Sequence, residues 1–202
     1  MKRHLLKRIT SSLIQAHSFF LNSYHESQTD SESIASGFPE TKGKKRVTEW
    51  GGTSSAVAAF RMCGIESEQT NTIADSSSRW LLSLMDSHGS WEASGMHLAE
   101  ATAGILLDLN IDGGNPIIAT SVDFMKSCYK DKCFYSTPEG SVVPHLYTTY
   151  LVTKCLNKYS RHENADRIRD WVLSCNNADK HWGQIPQSNV STPVHTIFAL
   201  NI

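Results

Sequence analysis

Residues 79–107 read RWLLSLMDSHGSWEASGMHLAEATAGILL. Trp80, Leu81 and Leu84 continue a helical stripe that begins at Ile73 and Ser77. A polar turn, Ser87-His88-Gly89-Ser90, then separates that stripe from Trp91 and a second apolar run, 100–111, EATAGILLDLNI. The block predicts two helices joined by a tight turn.

The same pattern recurs along the chain. Four segments align on a serine: SFFLNSYH at 18–25, RWLLSLMD at 79–86, DFMKSCYK at 123–130 and DWVLSCNN at 170–177. An aromatic stands three residues before each serine: Phe20, Trp80, Phe124 and Trp171. A second aromatic follows: Trp91, Phe134 and Trp182, with Trp50 delayed in the first unit by an insertion. Each is followed by another apolar stretch, 56–65, 100–111, 146–157 and 192–202, and Leu-Asn pairs fall at 109–110, 156–157 and 200–201. A period in the mid-forties suits two helices and two loops per unit.

Helix-start signals agree with this division. Thr72 with Asp75 reads as a capping box before a helix over 73–85. Asn115-Pro116 and Thr192-Pro193 read as a cap followed by proline in the first turn, and Asn164 as a cap for 165–175. Period-two alternation is never sustained. The expected class is all-α: one domain over 1–202, about four helical hairpins. Leu6, Ile9, Leu13, Ala16 and Phe20 form one stripe that predicts a first core-packing helix. The stretch 27–48, rich in serine and ending in the basic run Lys42, Lys44, Lys45, Arg46, reads as a long irregular insertion.

Composition narrows the function classes. Hydrophobic residues make up 40% of the 202, enough for a real core, and the formal net charge of −1 argues against a nucleic-acid binder held by bulk charge. No run approaches the roughly 18 apolar residues a membrane span needs. The five cysteines are odd in number and lack CxxC spacing, which favours reduced thiols and a cytoplasmic location over a disulfide framework.

Trp80-Leu-Leu-Ser83, Gly89-Ser-Trp91 and the following Glu100-Ala-Thr-Ala-Gly-Ile-Leu-Leu107 resemble one repeat of the prenyltransferase and squalene-oxidase type. Such repeats build squalene–hopene cyclases, class II terpene cyclases and protein prenyltransferase β subunits. The resemblance implies an α/α toroid, with outer and inner rings of helices and an apolar substrate inside the inner ring. About four hairpins imply a partial or open ring, or one completed by self-association or a partner subunit. The family's stacking glutamine is absent: Tyr24, Leu84, Cys128 and Cys175 stand there. The Gly-x-Trp ending is intact only at Gly89–Trp91, and the other units end Thr48-Glu-Trp50, Lys132-Cys-Phe134 and Lys180-His-Trp182.

The family's catalytic groups are also missing. There is no Asp-x-Asp-Asp acid and no Asp-Asp-x-x-Asp. Asp108/Asp112 and Asp166/Asp170 read as surface charge. Asp131-Lys-Cys133 with His195 mimics a prenyltransferase zinc set, but Cys133 falls in a hairpin turn rather than at the start of an inner helix, so no metal or cofactor is expected.

In the toroid reading His97, His145 and His195 lie near inner-helix starts and share one rim, with Glu100 one turn beyond His97. They are the candidate catalytic residues. Trp91, Tyr147, Tyr150, Trp182 and Phe198 are the candidate lining of an apolar site. The same residues also read as capping histidines and plain core aromatics. Two functions follow: a terpene cyclase- or prenyltransferase-like domain that handles an isoprenoid or other apolar ligand, or a non-catalytic helical repeat module for protein interaction or self-association.

Overall fold

The computed structural model describes residues 14–15, 18, 21–22, 24–28, 34–37, 50–63, 67–93, 96–140, 143–160, 163–186 and 190–202. It is mostly helical. Among the described residues no helix is long and apolar enough to cross a membrane. The backbone divides into two compact units: residues 1–84 with 108–110, and residues 85–107 with 111–202.

In the first unit, strands β1 (His25–Gln28) and β2 (Ile34–Gly37) form an antiparallel pair with His25 opposite Gly37 and Gln28 opposite Ile34. This ordered pair corrects the reading of 27–48 as irregular throughout; positions 29–33 and 38–48, including the basic run, lie outside the described residues, as does the predicted stripe from Leu6 to Phe20. Helices α1 (Trp50–Cys63) and α2 (Glu68–Ser83) make a hairpin, and β2 packs on both. Ala56, Phe60 and Ile73 form its core, with Leu21 and Tyr24 packed against them. The Arg61 guanidinium donates to the carbonyls of Asp108 and Leu109, partners for acceptors that a helix end leaves unpaired.

Helix α2 starts earlier than the Thr72–Asp75 box predicts. Ser67 is the cap, its hydroxyl accepting from the Thr70 N–H at 3.1 Å, while Thr72 donates to the Glu68 carbonyl at 2.8 Å inside the helix. The first turn, Glu-Gln-Thr-Asn, carries no apolar stripe, so its helical nature leaves no mark in periodicity.

The second unit contains α3 (Ala99–Leu109, whose last two residues fall in the first unit), α4 (Pro116–Ser127), α5 (Leu146–Tyr159), α6 (Ala165–Ser174) and α7 (Pro193–Leu200). Two-residue antiparallel hairpins, β3 (Glu92–Ala93) with β4 (Met96–His97) and β5 (Tyr129–Lys130) with β6 (Cys133–Phe134), come after the aligned serines Ser83 and Ser127 of the second and third segments. Helix α5 packs against α4, α6, α7 and β6. Its buried residues are Leu146, Thr148, Thr149, Val152, Thr153, Cys155 and Leu156. Asn115 and Thr192 cap α4 and α7 as the sequence predicts, accepting from the Ile117 and His195 N–H groups. Asn164 precedes α6 but makes no capping bond.

Three local devices recur from hairpin to hairpin. The aligned serine ends its helix: Ser83 donates to the Trp80 carbonyl at 2.7 Å, Ser127 to Phe124 at 2.6 Å and Ser174 to Trp171 at 2.7 Å. The residue two before the second aromatic then takes a left-handed backbone: Gly89 (φ 78°), Lys132 (φ 69°) and Lys180 (φ 66°). Last, the N–H of that aromatic donates to a threonine that is the fourth residue of the next helix. The pairs are Trp91–Thr102 at 3.3 Å, Phe134–Thr149 at 3.2 Å and Trp182–Thr196 at 3.2 Å. Lys132 and Lys180 therefore take the same turn as Gly89 without a glycine.

Gly89 is required on two counts. Its φ lies where an L side chain is strained, and a Cβ there would stand 2.6 Å from the backbone nitrogen of Ser121. The same close approach lets the Ser121 hydroxyl donate to the Gly89 carbonyl at 2.6 Å, fully buried.

Candidate functional site

Helices α5 and α7 bring together most of the aromatic and histidine candidates. Tyr147, Tyr150 and Lys154 follow each other at spacings of three and four on α5, hence on one face. On α7, His195 and Phe198 are likewise one turn apart. The two faces meet at Phe198. Its ring stacks on Tyr150 with centroids 4.8 Å apart and an 18° tilt, and lies 5.3 Å from Tyr147. His195 meets the Phe198 edge at 5.8 Å and 85°. Offset-stacked and edge-on contacts of this kind add about 0.5–1.5 kcal/mol each beyond area burial.

This platform is partly open. Tyr147 is 43% exposed, while Tyr150, His195 and Phe198 are half-buried. The Lys154 ammonium sits 5.7 Å from the Tyr150 ring centroid and donates weakly to its hydroxyl at 3.5 Å. His195 Nδ1 shares a 2.6 Å hydrogen bond with the Thr192 hydroxyl. Burial, and secondarily the neighbouring His145, hold the His195 imidazole below its ordinary pKa. Both causes disfavour the charged ring, which suits an apolar neighbour better than an anionic one.

The three histidines do not occupy equivalent positions. His97 lies in β4, two residues ahead of α3, with its backbone opposite Glu92; its side chain lies outside the described residues. His145 is the residue just before α5 and makes no capping bond. His195 is the third residue of α7. All three stand near helix starts but at different offsets, and His145 lies close enough to His195 to disfavour its charge. Glu100 joins neither: its Oε1 accepts from the Ser136 hydroxyl at 3.0 Å, while the Oε2 is buried without a hydrogen-bond partner.

Trp91 and Trp182 are buried in the core. Trp91 is 1% exposed; Trp182 is 8% exposed and its indole N–H donates to the Val172 carbonyl at 2.7 Å. Aromatics that follow the turn are used to lock it onto the next helix. Cys133 is buried in β6, and burial pushes its thiol up to about 12. Among the described residues no group of three or more His, Cys, Asp and Glu side chains forms a metal set.

Sequence reasoning missed the threonine lock and the Lys154–Tyr150 contact. The first had a usable signal, since Thr102, Thr149 and Thr196 each follow a second aromatic in the opening of an apolar run. No protein-family model matches this chain, and no curated protein matches it.

Proposed function

We propose that the chain is a helical-hairpin repeat domain of the prenyltransferase and squalene-oxidase type, a partial or open α/α toroid. It binds an isoprenoid or other apolar ligand on the Tyr147–Tyr150–Phe198 platform. The observation that carries this reading is the stack of Tyr150 on Phe198 across α5 and α7, flanked by an imidazole whose charged form burial disfavours. In a toroid these two helices hold inner positions, because each follows a second aromatic. The three recurring devices support the repeat itself. Aromatic faces offer an isoprene chain both contact area and polarizable surface, and each apolar Å² removed from water contributes about 25 cal/mol. The reading is ligand handling without an assigned reaction.

One observation favours the alternative, a module for self-association or for a partner subunit that completes the ring. Helix α7 buries none of its residues, and Val194, Ile197 and Leu200 are 49%, 57% and 73% exposed. Native mass spectrometry of the purified full chain separates the two. A monomer carrying a solvent-extractable isoprenoid supports ligand handling. A ligand-free dimer or larger assembly supports the module and overturns the first reading.

A further inference from the structure

The platform is not the only feature of the second unit shaped to receive a ligand. A cleft of about 720 Å³ opens between the 86–90 turn, one face of α4 and residues 137–139. That volume lies within the range of small-molecule sites. The helix contributes Thr120, Asp123, Phe124 and Ser127, spaced by three, one and three. Phe124 forms an apolar floor. Ser127 covers the helix end by bonding the Phe124 carbonyl, and Glu139 faces from the far loop.

The wall built by residues 86–90 is fixed. Asp86 Oδ1 accepts from the N–H of His88 at 3.0 Å and from the N–H and hydroxyl of Ser90 at 2.8 and 3.1 Å. Its Oδ2 lies 3.0 Å from His88 Nδ1. The Gly89 carbonyl is then tied to Ser121 on α4. The turn thus arrives with its carboxylate and imidazole oriented before any ligand enters, which lowers the ordering cost of binding.

The cleft's charge is one-sided. Asp86, Asp123 and Glu139 line it, and no lysine or arginine does among the described residues. An anionic ligand meets three carboxylates there. A ligand with an apolar body and an ammonium head meets a phenyl floor and complementary charge together.

We propose that this cleft is a binding site for a small organic amine: a flat apolar body lying toward Phe124, with a protonated amine held by Asp123 and Glu139. Asp86 and His88 position the wall, and the two exposed carboxylates set the preference for charge. The site is independent of the platform on α5 and α7 and of the function proposed for it.

Tryptamine is the probe, with tryptophol as its neutral match and indole-3-propionate as its anionic match. Each is titrated into the full chain and followed by amide and imidazole NMR shifts. Saturable shifts at His88, Ser127 and Glu139 are expected, with tryptamine bound about tenfold more tightly than tryptophol, the effect of two partly solvated charge pairs. The D123N/E139Q variant should bring the two ligands to parity. Both substituted residues are exposed, so the fold is retained, and an unchanged thermal midpoint checks this. Tryptophol binding as tightly as tryptamine, a preference that survives D123N/E139Q, or no saturation with tryptamine would each overturn the proposal.

Discussion

The Trp182 N–H donates to the Thr196 hydroxyl at 3.2 Å, and the bond is a third copy of Trp91–Thr102 and Phe134–Thr149. In each copy an aromatic that ends a turn is fastened to the fourth residue of the next helix. The connection between them differs each time, over 92–98, 135–145 and 183–192. The lock holds the hairpin geometry constant while the loop varies, so the loops are free to differ without moving the helices.

Replacing Thr149 by valine tests this lock. Valine keeps the shape and leaves the buried Phe134 N–H without its side-chain acceptor, which costs about 1–3 kcal/mol. Thr149→Ser retains the hydroxyl and should lose less. Urea unfolding of both variants gives the comparison; equal losses would remove the hydrogen bond from the explanation.

Glycine should act oppositely at equivalent turn positions. Lys180→Gly relieves a left-handed lysine, worth about 1–2 kcal/mol, against roughly 0.5–1 kcal/mol of added chain entropy. A small net stabilisation is expected. Gly89→Ala places a methyl 2.6 Å from the Ser121 backbone and adds strain at φ 78°, for a loss of about 3 kcal/mol or more. Thermal midpoints should move in opposite directions.

Alkaline pH should destabilise the fold. Burial pushes the thiols of Cys128, Cys133 and Cys155 up to about 12, whereas in the unfolded chain they titrate near about 8.5. Between those values the folded state holds more protons, so stability is complete below the lower value and falls as pH rises through the upper one. Denaturant midpoints across that window should decline, and native-state alkylation of these thiols should be slow at neutral pH. A flat profile would contradict the burial.

His195 should titrate below an ordinary histidine, because burial and the neighbouring His145 both disfavour its charged form. His145→Ala removes the smaller cause and should raise the His195 midpoint part of the way, read by imidazole NMR. The same depression makes stability fall as pH drops below the unfolded histidine value of about 6.5, where the unfolded chain binds the extra proton.

Much of the hairpin pattern was legible in residue types. The aligned serines Ser83, Ser127 and Ser174 all end helices, and Pro116 and Pro193 both sit in first turns. The left-handed turn at Lys132 and Lys180 was not legible, since lysine gives no sign that it adopts a glycine conformation. The β1–β2 pair was hidden because its second strand, Ile-Ala-Ser-Gly, is too short to show alternation. At the site, Tyr147, Tyr150 and Phe198 were recognisable as aromatic spacing on apolar runs. The offsets of His97, His145 and His195 from their helix starts were not legible, because the loops that precede those helices differ in length.

The most direct test of ligand handling is a calorimetric titration of the full chain with farnesol, repeated on Tyr147→Ala and Tyr150→Ala. Leu173→Ala on α6, which is 57% exposed, serves as the control. Saturable binding is predicted, weakened about tenfold by either tyrosine change and unaffected by the control. Absence of binding, or equal affinity in all four proteins, would contradict the role given to the platform.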